Sequence, residues 1–309
     1  MMNSTKNSLT NPDKFEEAFA KNTVIVFFGI MINTINGILV VTFFKNSIFH
    51  DDPRYILYIH LVINDMLMIF TSVTLYVLTY AWPFVNVSVC CILLLIGSTT
   101  YKNTPLNLAG MAIERYIAIC KPLHHPQICT VHRTYIFIYF IWTVGVAPSV
   151  TDIIIVIATK PLSVFMSFIF CYPLSIFNTK YHEALTTAVQ VIYMSFVWIV
   201  LIFTYIRVLL TAKKAAVDSS AKKAQSTILL HGIQLLLCML SYLTPVLDMI
   251  LIPFFPAHRT KITFFNYLLT NIIPRLLSPL IYGIRDHKFL KHMKGYFSCR
   301  LIFVKVRPK

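Results

Sequence analysis

Several ionisable side chains lie inside long apolar stretches of the sequence, where a charge is costly and usually serves a partner or a function. Three of them are Asp65, Lys102 and Arg275. A carboxylate and a guanidinium inside a bundle can neutralise each other, and a buried ammonium can bind an anionic group. These three residues could therefore form an internal ion pair or bind a charged group in apolar surroundings.

The sequence contains no arrangement of residues that points to catalysis. We find no Gly-rich phosphate loop, no spacing of metal ligands and no nucleophile–base set. The dipeptide His124-His125 is too isolated to count as a metal site. We therefore expect a protein that is not an enzyme and that holds no metal or cofactor.

The composition predicts that much of the surface faces lipid. Of 309 residues, 57% are hydrophobic and 13% are charged, whereas a soluble domain has about 25% charged residues. A net charge of +15 would suit a nucleic-acid binder, but such a protein carries its basic residues on a soluble domain. Here they fall between apolar stretches, so we expect the lipid bilayer, and not nucleic acid, as a partner.

Seven apolar stretches are long enough to cross a bilayer, whose hydrocarbon core of about 30 Å needs roughly 20 helical residues. The uncharged run 66–101 is too long for one helix, and the residues around Trp82-Pro83 divide it. We therefore predict an all-α fold, a single bundle of seven transmembrane helices. Its parts are a tail at 1–22, the bundle at 23–284 with spans at 23–44, 55–78, 88–113, 134–158, 184–210, 226–252 and 262–284, and a cytoplasmic segment at 285–309.

The positive charges predict the orientation of these spans. With the N-terminus outside, the cytoplasmic segments hold 18 Lys and Arg residues and the outer segments hold seven, as the positive-inside rule requires. Two glycosylation sequons, at Asn3 and Asn86, then fall on the outer side. Residues 1–22 lack an apolar signal segment, so the first span is expected to act as its own insertion signal. We expect a multi-pass protein of the plasma membrane with an extracellular N-terminus and a cytoplasmic C-terminus.

Two cysteines are well placed for a disulfide in the oxidising outer compartment. Cys90 lies at the outer end of span three, and Cys171 lies in the loop between spans four and five. A bridge between them would tie this loop over the mouth of the bundle. Cys91 is an adjacent competitor for the same partner.

The segment after the last span has the pattern of a short amphipathic helix. Phe289, Leu290, Met293 and Phe297 share one face, and basic residues occupy the other. Such a helix lies on the inner leaflet of the membrane. Cys299, just beyond it, could be palmitoylated or could remain an unmodified cysteine.

Several short motifs occur at the positions where the spans begin, bend or end. They are Glu114-Arg115-Tyr116 within residues 111–124, Ser278-Pro279-Leu280-Ile281-Tyr282, Leu61-Val62-Ile63-Asn64-Asp65, Lys223-Ala224-Gln225-Ser226-Thr227, and the phrases at 53–57 and 103–109. The first resembles the Asp/Glu-Arg-Tyr motif, and the second resembles the Asn-Pro-x-x-Tyr motif with serine in place of asparagine. Together the motifs resemble those of odorant receptors, a branch of the rhodopsin-like G-protein-coupled receptors, and are most similar to fish-type odorant receptors. The resemblance covers nearly the whole chain.

The resemblance implies two partners, a small-molecule odorant and a heterotrimeric G protein of the stimulatory, olfactory type. It also implies three groups of functional residues: Glu114, Arg115, Tyr116, Tyr205 and Tyr282 for G-protein coupling; Asn36, Asp65, Arg275, Ser278 and Pro279 for an activation core; and Ser98, Tyr101, Lys102, Tyr193 and Asp248 for a ligand pocket. Activation would free Arg115 to meet the G protein, and in the resting state the adjacent carboxylate of Glu114 can hold its guanidinium.

The resemblance places Asp65 and Arg275 at mid-bundle on spans two and seven. In many relatives this aspartate helps to bind sodium among small polar residues, and an arginine would supply the positive charge itself. We predict that the two residues form an internal ion pair. The alternative is that each finds water and backbone partners separately.

Lys102 has more than one possible partner. It could bind a carboxylate or another anionic group of an odorant, or it could pair with Asp248 of span six or Asp152 of span four. Gly97 stands where amine receptors carry an aspartate, and Ile272 stands where opsins carry the lysine that binds retinal. Both of those functions are therefore disfavoured.

Two rival functions stay open at this point. One is a rhodopsin-like receptor for a non-odorant ligand such as a nucleotide or a lipid. The other is a transporter or channel, for which the three intramembrane charges are the only basis. The Glu-Arg-Tyr motif and the lack of an internal sequence repeat disfavour the second.

Overall fold

The computed structural model describes residues 15–214, the single positions 232, 236, 239 and 242, and residues 244–278 and 289–292. Seven helices within these residues lie at the positions of the spans. They are α1, Phe15–Lys45; α2, Pro53–Ala81; α3, Val87–Cys120; α4, Val131–Thr159; α5, Lys180–Lys214; α6, Thr244–Phe254; and α7, Arg259–Tyr267, which continues through a π-helical segment, Leu268–Ile272, to residue 278. The residues singled out in the sequence that lie outside the described ones are Asn3, the motif at 223–227, the motif residues 279–282, Met293, Phe297 and Cys299.

Side-chain caps define where three of the helices begin. In each case an oxygen of the residue before the helix accepts a hydrogen bond from a backbone N–H of the first turn, which the helix itself leaves without a partner. The capping residues are Asp52 at 2.9 Å for α2, Asn86 at 2.9 Å for α3 and Thr130 at 3.3 Å for α4. These starts are therefore encoded locally in the sequence.

Four of the helices are long and apolar enough to cross a membrane. They are Phe15–Lys45, Pro53–Ala81, Val131–Thr159 and the stretch Lys180–Thr211 of α5. Large apolar side chains point outward from them, and Phe27 and Phe70 are 62% and 64% exposed. Such a surface suits lipid and would be a liability in water. The chain is a multi-pass membrane protein.

The centre of the bundle is α3, which packs against α2, α4 and α5. The amide of Asn64 on α2 donates to the carbonyl of Thr100 at 2.9 Å and to the hydroxyl of Thr104 at 3.0 Å. The indole N–H of Trp142 on α4 donates to Nε2 of His60 on α2 at 2.9 Å. These hydrogen bonds fix how α2 faces α3 and α4.

One end of the bundle carries a short two-stranded ribbon in addition to the helices. The strands β1, Phe84–Asn86, and β2, Phe168–Phe170, pair antiparallel, with Val85 opposite Ile169. Cys90 and Cys171 form a disulfide beside this ribbon, which confirms the predicted bridge, and Cys91 is a free, buried thiol. The all-α prediction missed the ribbon because three-residue strands in a loop have no periodic pattern of their own.

The opposite end of the bundle closes on a cluster of aromatic side chains. Residues 289–292 form a helical turn, and the ring of Phe289 is fully buried with its centroid 5.0 Å from that of Phe49. Tyr55 and Tyr58 of α2 contact the same ring. The rest of the predicted amphipathic helix lies outside the described residues.

Candidate ligand and coupling sites

The two opposite charges at mid-bundle, Asp65 and Arg275, lie next to each other. Nε of Arg275 is 3.8 Å from Oδ1 of Asp65, and the two side chains are 3% and 5% exposed. The hydroxyl of Thr104 donates to the same carboxylate oxygen at 3.4 Å. The contact between the charges is an ion pair without a hydrogen bond, because 3.8 Å exceeds the usual donor–acceptor distance of about 2.7–3.2 Å.

The guanidinium of Arg275 directs its other nitrogens elsewhere. Nη1 donates to the backbone carbonyl of Asn271 at 2.8 Å, and Nη2 donates to the sulfur of Met68 on α2 at 2.9 Å. Nε has no hydrogen-bond partner among the described residues. A charged donor with one strong acceptor and one weak sulfur acceptor is incompletely satisfied, so the nearby carboxylate of Asp65 matters for its stability.

Two further residues of the expected activation core, Asn36 and Ser278, are buried. Asn36 on α1 is fully buried, and neither atom of its side-chain amide has a partner among the described residues. Ser278, at the end of the described part of α7, is 2% exposed. Both positions are therefore polar groups in the interior, where each lost hydrogen bond is costly.

The ammonium of Lys102 turns towards α4. Nζ donates to Oγ of Ser98, one helical turn away, at 2.5 Å and to Oγ of Ser149 on α4 at 2.9 Å. The two hydroxyls also lie 3.0 Å apart. No carboxylate among the described residues forms an ion pair with this lysine. Its charge is thus held by two neutral hydroxyl groups.

Asp248 on α6 is not the partner of Lys102. Its Oδ1 accepts a hydrogen bond of 2.6 Å from the amide of Asn266 on α7. The structure therefore brings Ser98 and Lys102 together and leaves Asp248 at a different helix interface.

The two tyrosines of the expected pocket, Tyr101 on α3 and Tyr193 on α5, each make a contact with another helical segment. The rings of Tyr101 on α3 and Tyr242, before α6, have centroids 4.7 Å apart, and the hydroxyl of Tyr242 donates to the carbonyl of Tyr101 at 2.6 Å. The hydroxyl of Tyr193 on α5 donates to the carbonyl of Val144 on α4 at 2.5 Å. Movement of the segment around Tyr242 would disturb α3 directly.

At the inner end of α3, Glu114 and Arg115 serve different neighbours. Oε1 of Glu114 lies 3.0 Å from Nε2 of His125, in the loop between α3 and α4, and the glutamate side chain is 7% exposed. Nε of Arg115 is buried without a hydrogen-bond partner among the described residues. The structure thus differs from the expectation that Glu114 holds Arg115. Adjacent residues of a helix point about 100° apart and do not face each other.

The other coupling residues line the region where α5 meets α3. The ring of Tyr116 packs on Phe203 of α5 at 5.8 Å between centroids. Tyr205 lies so close to Gly232 that a Cβ on this glycine would come within 2.7 Å of the tyrosine ring. Gly232 is buried, so the sixth span contacts α5 at this residue.

A groove of about 200 Å³ lies beside Glu114, between the inner ends of α2, α3 and α4. Its walls include Leu57, Phe137 and the thiol of Cys129. Burial, and secondly the negative charge of Glu114, raise the pKa of this thiol. The negative charge of Glu114 therefore acts on Cys129 in the loop between α3 and α4. The contact of Glu114 with His125 lies in the same loop.

Sequence reasoning missed four polar residues that the structure places between α6 and α7: Thr244, Asn266, Thr270 and Asn271. On α7 they follow the spacing i, i+4 and i+5, which a regular α-helix would spread over about 140°. That spacing, read together with Arg275 four residues later, was the available signal.

Comparison with known proteins decides the family. Residues 35–282 match the family described as 7 transmembrane receptor (rhodopsin family). The chain belongs to this family. The receptor is 31% identical over 308 residues to odorant receptor 131-2 of Danio rerio, covering 98% of this chain and 94% of that protein. It is also similar to two receptors of Homo sapiens, olfactory receptor 2M3, at 26% identity over 81% of each chain, and olfactory receptor 2T5, at 25% identity over 90% of each chain.

These matches confirm the resemblance drawn from the motifs. The receptor is an odorant-receptor-like G-protein-coupled receptor, and receptors of this family are not enzymes. Membership in the family implies that the receptor binds a ligand and couples to a G protein.

Proposed function

We propose that this receptor binds a small odorant in the outer half of the bundle and activates a stimulatory, olfactory-type G protein at its cytoplasmic end. The observation that carries the proposal is the similarity to odorant receptor 131-2 over 98% of the chain, together with the Glu114-Arg115-Tyr116 sequence at the inner end of α3. The excess of basic residues in the segments assigned to the cytoplasm supports an extracellular N-terminus.

Lys102 is the residue that selects the charge of the odorant in this proposal. Its ammonium is half-buried and meets only the hydroxyls of Ser98 and Ser149 among the described residues. The carboxylate of Asp152 on α4 acts on this ammonium electrostatically but forms no ion pair with it. A cation inside a membrane protein that has no carboxylate in direct contact favours an anionic ligand, because the ligand then supplies that contact. We therefore expect organic acids to be preferred over neutral or basic odorants of the same size.

The route from ligand to G protein runs through Tyr101 and Tyr242. The ligand shifts the receptor only as far as it binds one packing of the helices better than another. Because Tyr242 is hydrogen-bonded to the backbone of α3, a ligand that separates the two tyrosines also moves the sixth span. The outward movement of its inner end, away from Tyr205, exposes Arg115 to the G protein.

The test is a cyclic AMP reporter assay in cells that express the receptor with an olfactory G protein. The panel contains amino acids, organic acids, alcohols and amines, and Arg115→Ala and Lys102→Met are compared with Lys180→Met, which removes a lysine exposed at the start of α5. Surface expression is measured for every variant.

We expect a response to organic acids that Arg115→Ala abolishes, that Lys102→Met weakens by tenfold or more in potency, about the 1–3 kcal/mol of a charge-assisted hydrogen bond, and that Lys180→Met leaves unchanged. A response to acids with unchanged potency in Lys102→Met refutes the ligand contact. A response that survives Arg115→Ala refutes the coupling mechanism.

A further inference from the structure

Four polar residues of α7 are buried in a row. Asn266, Thr270, Asn271 and Arg275 are 2%, 0%, 8% and 2% exposed. They lie at positions i, i+4, i+5 and i+9, which a regular α-helix would spread over about 180°. Buried polar groups need partners, and the partners of this row lie on α6 and α2.

The π-helical segment explains why two adjacent residues of the row reach the same neighbour. In a regular α-helix Thr270 and Asn271 would diverge by about 100°. Both lie in the wider turn Leu268–Ile272, and such segments often occur at functional sites. The amide of Asn271 donates to Oγ1 of Thr270 at 3.0 Å and to Oγ1 of Thr244 on α6 at 3.3 Å. The hydroxyls of Thr244 and Thr270 are also hydrogen-bonded to each other.

The other side of Asn271 holds the arginine of the mid-bundle ion pair. Nη1 of Arg275 donates to the backbone carbonyl of Asn271 at 2.8 Å and lies 3.4 Å from its Oδ1. The same guanidinium is 3.8 Å from the carboxylate of Asp65. One asparagine therefore contacts α6 through its amide nitrogen and the buried ion pair through its oxygens.

We infer that Asn271 is a positioning residue that couples the position of α6 to the Asp65–Arg275 pair. This inference rests on the proposed function, because it assigns the coupling a place in signal transmission. The tie is sensitive to small movements: the 3.3 Å bond to Thr244 is already longer than the usual upper range of about 3.2 Å. A shift of α6 by about an ångström breaks it, and the side chain of Asn271 can then turn. Its Oδ1 thereby leaves Nη1 of Arg275, at 3.4 Å, while the 2.8 Å bond from Nη1 to the backbone carbonyl of Asn271 remains.

In this structure the hydrogen bond between Asn271 and Thr244 is formed, and Gly232 and Met239 of the sixth span are buried. Met239 is 2% exposed, and Gly232 packs against Tyr205. Asp248 and Asn266, one turn further towards the outside, form a second hydrogen bond between α6 and α7. Loss of the Thr244–Asn271 tie therefore favours the departure of α6 from this packing, which raises basal signalling.

The test compares Thr244→Val, Asn271→Leu and the double variant in the full-length receptor. Thr244→Val keeps the size of the side chain and removes the hydroxyl. Thr244→Ser keeps the hydroxyl and serves as the rescue variant. Thr143→Val is the matched control, because the hydroxyl of Thr143 bonds only the carbonyl of its own helix, at Tyr139, among the contacts of the described residues.

Two measurements separate this inference from the proposed function. Hydrogen–deuterium exchange of the purified receptor, without a G protein, reports the stability of α6 and α7, and the cyclic AMP assay reports basal activity. We expect faster exchange confined to α6 and α7, and a basal signal raised by about two- to tenfold, the population shift that one net hydrogen bond supports. Thr244→Ser and Thr143→Val behave as the unmodified receptor.

The double variant decides whether the two residues act as one unit. We expect its basal signal to equal that of the stronger single variant, because residues that share one contact are not additive. Additive effects, or unchanged exchange in Thr244→Val, overturn the inference whatever the cyclic AMP response. Faster exchange in α6 and α7, with no cyclic AMP signal in the unmodified receptor or in any variant, supports the Thr244–Asn271 contact and contradicts the proposed function instead.

Discussion

The buried Asp65–Arg275 pair gives the sharpest prediction for stability. Asp65→Asn leaves a buried guanidinium without its counter-charge, and Arg275→Met leaves a buried carboxylate without its own. Breaking one side of a buried ion pair typically costs about 3–5 kcal/mol. We therefore expect either single variant to reach the cell surface poorly, since that cost is a large part of a total stability of about 5–15 kcal/mol.

The expected magnitude follows from the distance and the burial of the pair. At 3.8 Å and an effective dielectric constant of about 20, two unit charges attract by about 4 kcal/mol. Removing the two side chains from water costs roughly several kcal/mol for each ion. The pair as a whole therefore contributes little net stability, and the double variant Asp65→Asn/Arg275→Met should recover most of what each single variant loses.

The assay is the surface fraction of an epitope-tagged receptor by flow cytometry, with thermal unfolding of the purified receptor as a second measure. Lys261→Met is the matched control, because Lys261 and Glu17 form a shorter ion pair of 3.1 Å whose side chains are 59% and 39% exposed. An exposed pair contributes about 0–1 kcal/mol, so this variant should be near normal. A double variant no better than the worse single one would refute the pairing.

Three further predictions follow from close contacts in the structure. Gly145→Ala on α4 places a Cβ into the buried side-chain amide of Asn103 on α3 and should lower surface expression. In the control Gly37→Ala the new Cβ meets nothing within 4 Å, so expression should be unchanged. Equal surface expression of the two variants would contradict this packing. His125→Ala leaves the buried carboxylate of Glu114 without its partner and should destabilise the purified receptor by about 1–3 kcal/mol in thermal unfolding, with His125→Gln close to normal. Glu114→Gln removes a negative charge that raises the pKa of Cys129, so a maleimide should label this thiol faster at neutral pH. The labelling rate is measured against Cys129→Ser as background. Slower labelling of Glu114→Gln would show that the carboxylate does not face the loop.

The family and the disulfide could be predicted from the sequence, because both rest on local patterns. The Glu114-Arg115-Tyr116 motif is contiguous, and Cys90 and Cys171 fall in the only compartment that favours a bridge. The mid-bundle contact of Asp65 with Arg275 was also within reach, since two opposite charges inside spans have few other partners.

The partners of individual side chains were beyond sequence reasoning. Lys102 had several acidic candidates, and its choice of Ser149 depends on how α3 is rotated against α4. Glu114 precedes Arg115 in the sequence, but helical geometry turns the two apart and gives the glutamate to His125. Asn271 reaches α6 only because α7 widens into a π-helical turn, and no simple pattern in the sequence predicts that turn.

The central claim is that a small ligand drives this receptor to activate a G protein through the inner end of α3. The most direct test is nucleotide exchange on a purified stimulatory G protein with the purified receptor in lipid nanodiscs, with and without an organic acid that is active in cells. The account predicts ligand-stimulated exchange that Arg115→Ala abolishes while ligand binding is retained. Ligand binding without any stimulation of exchange by the unmodified receptor would contradict it.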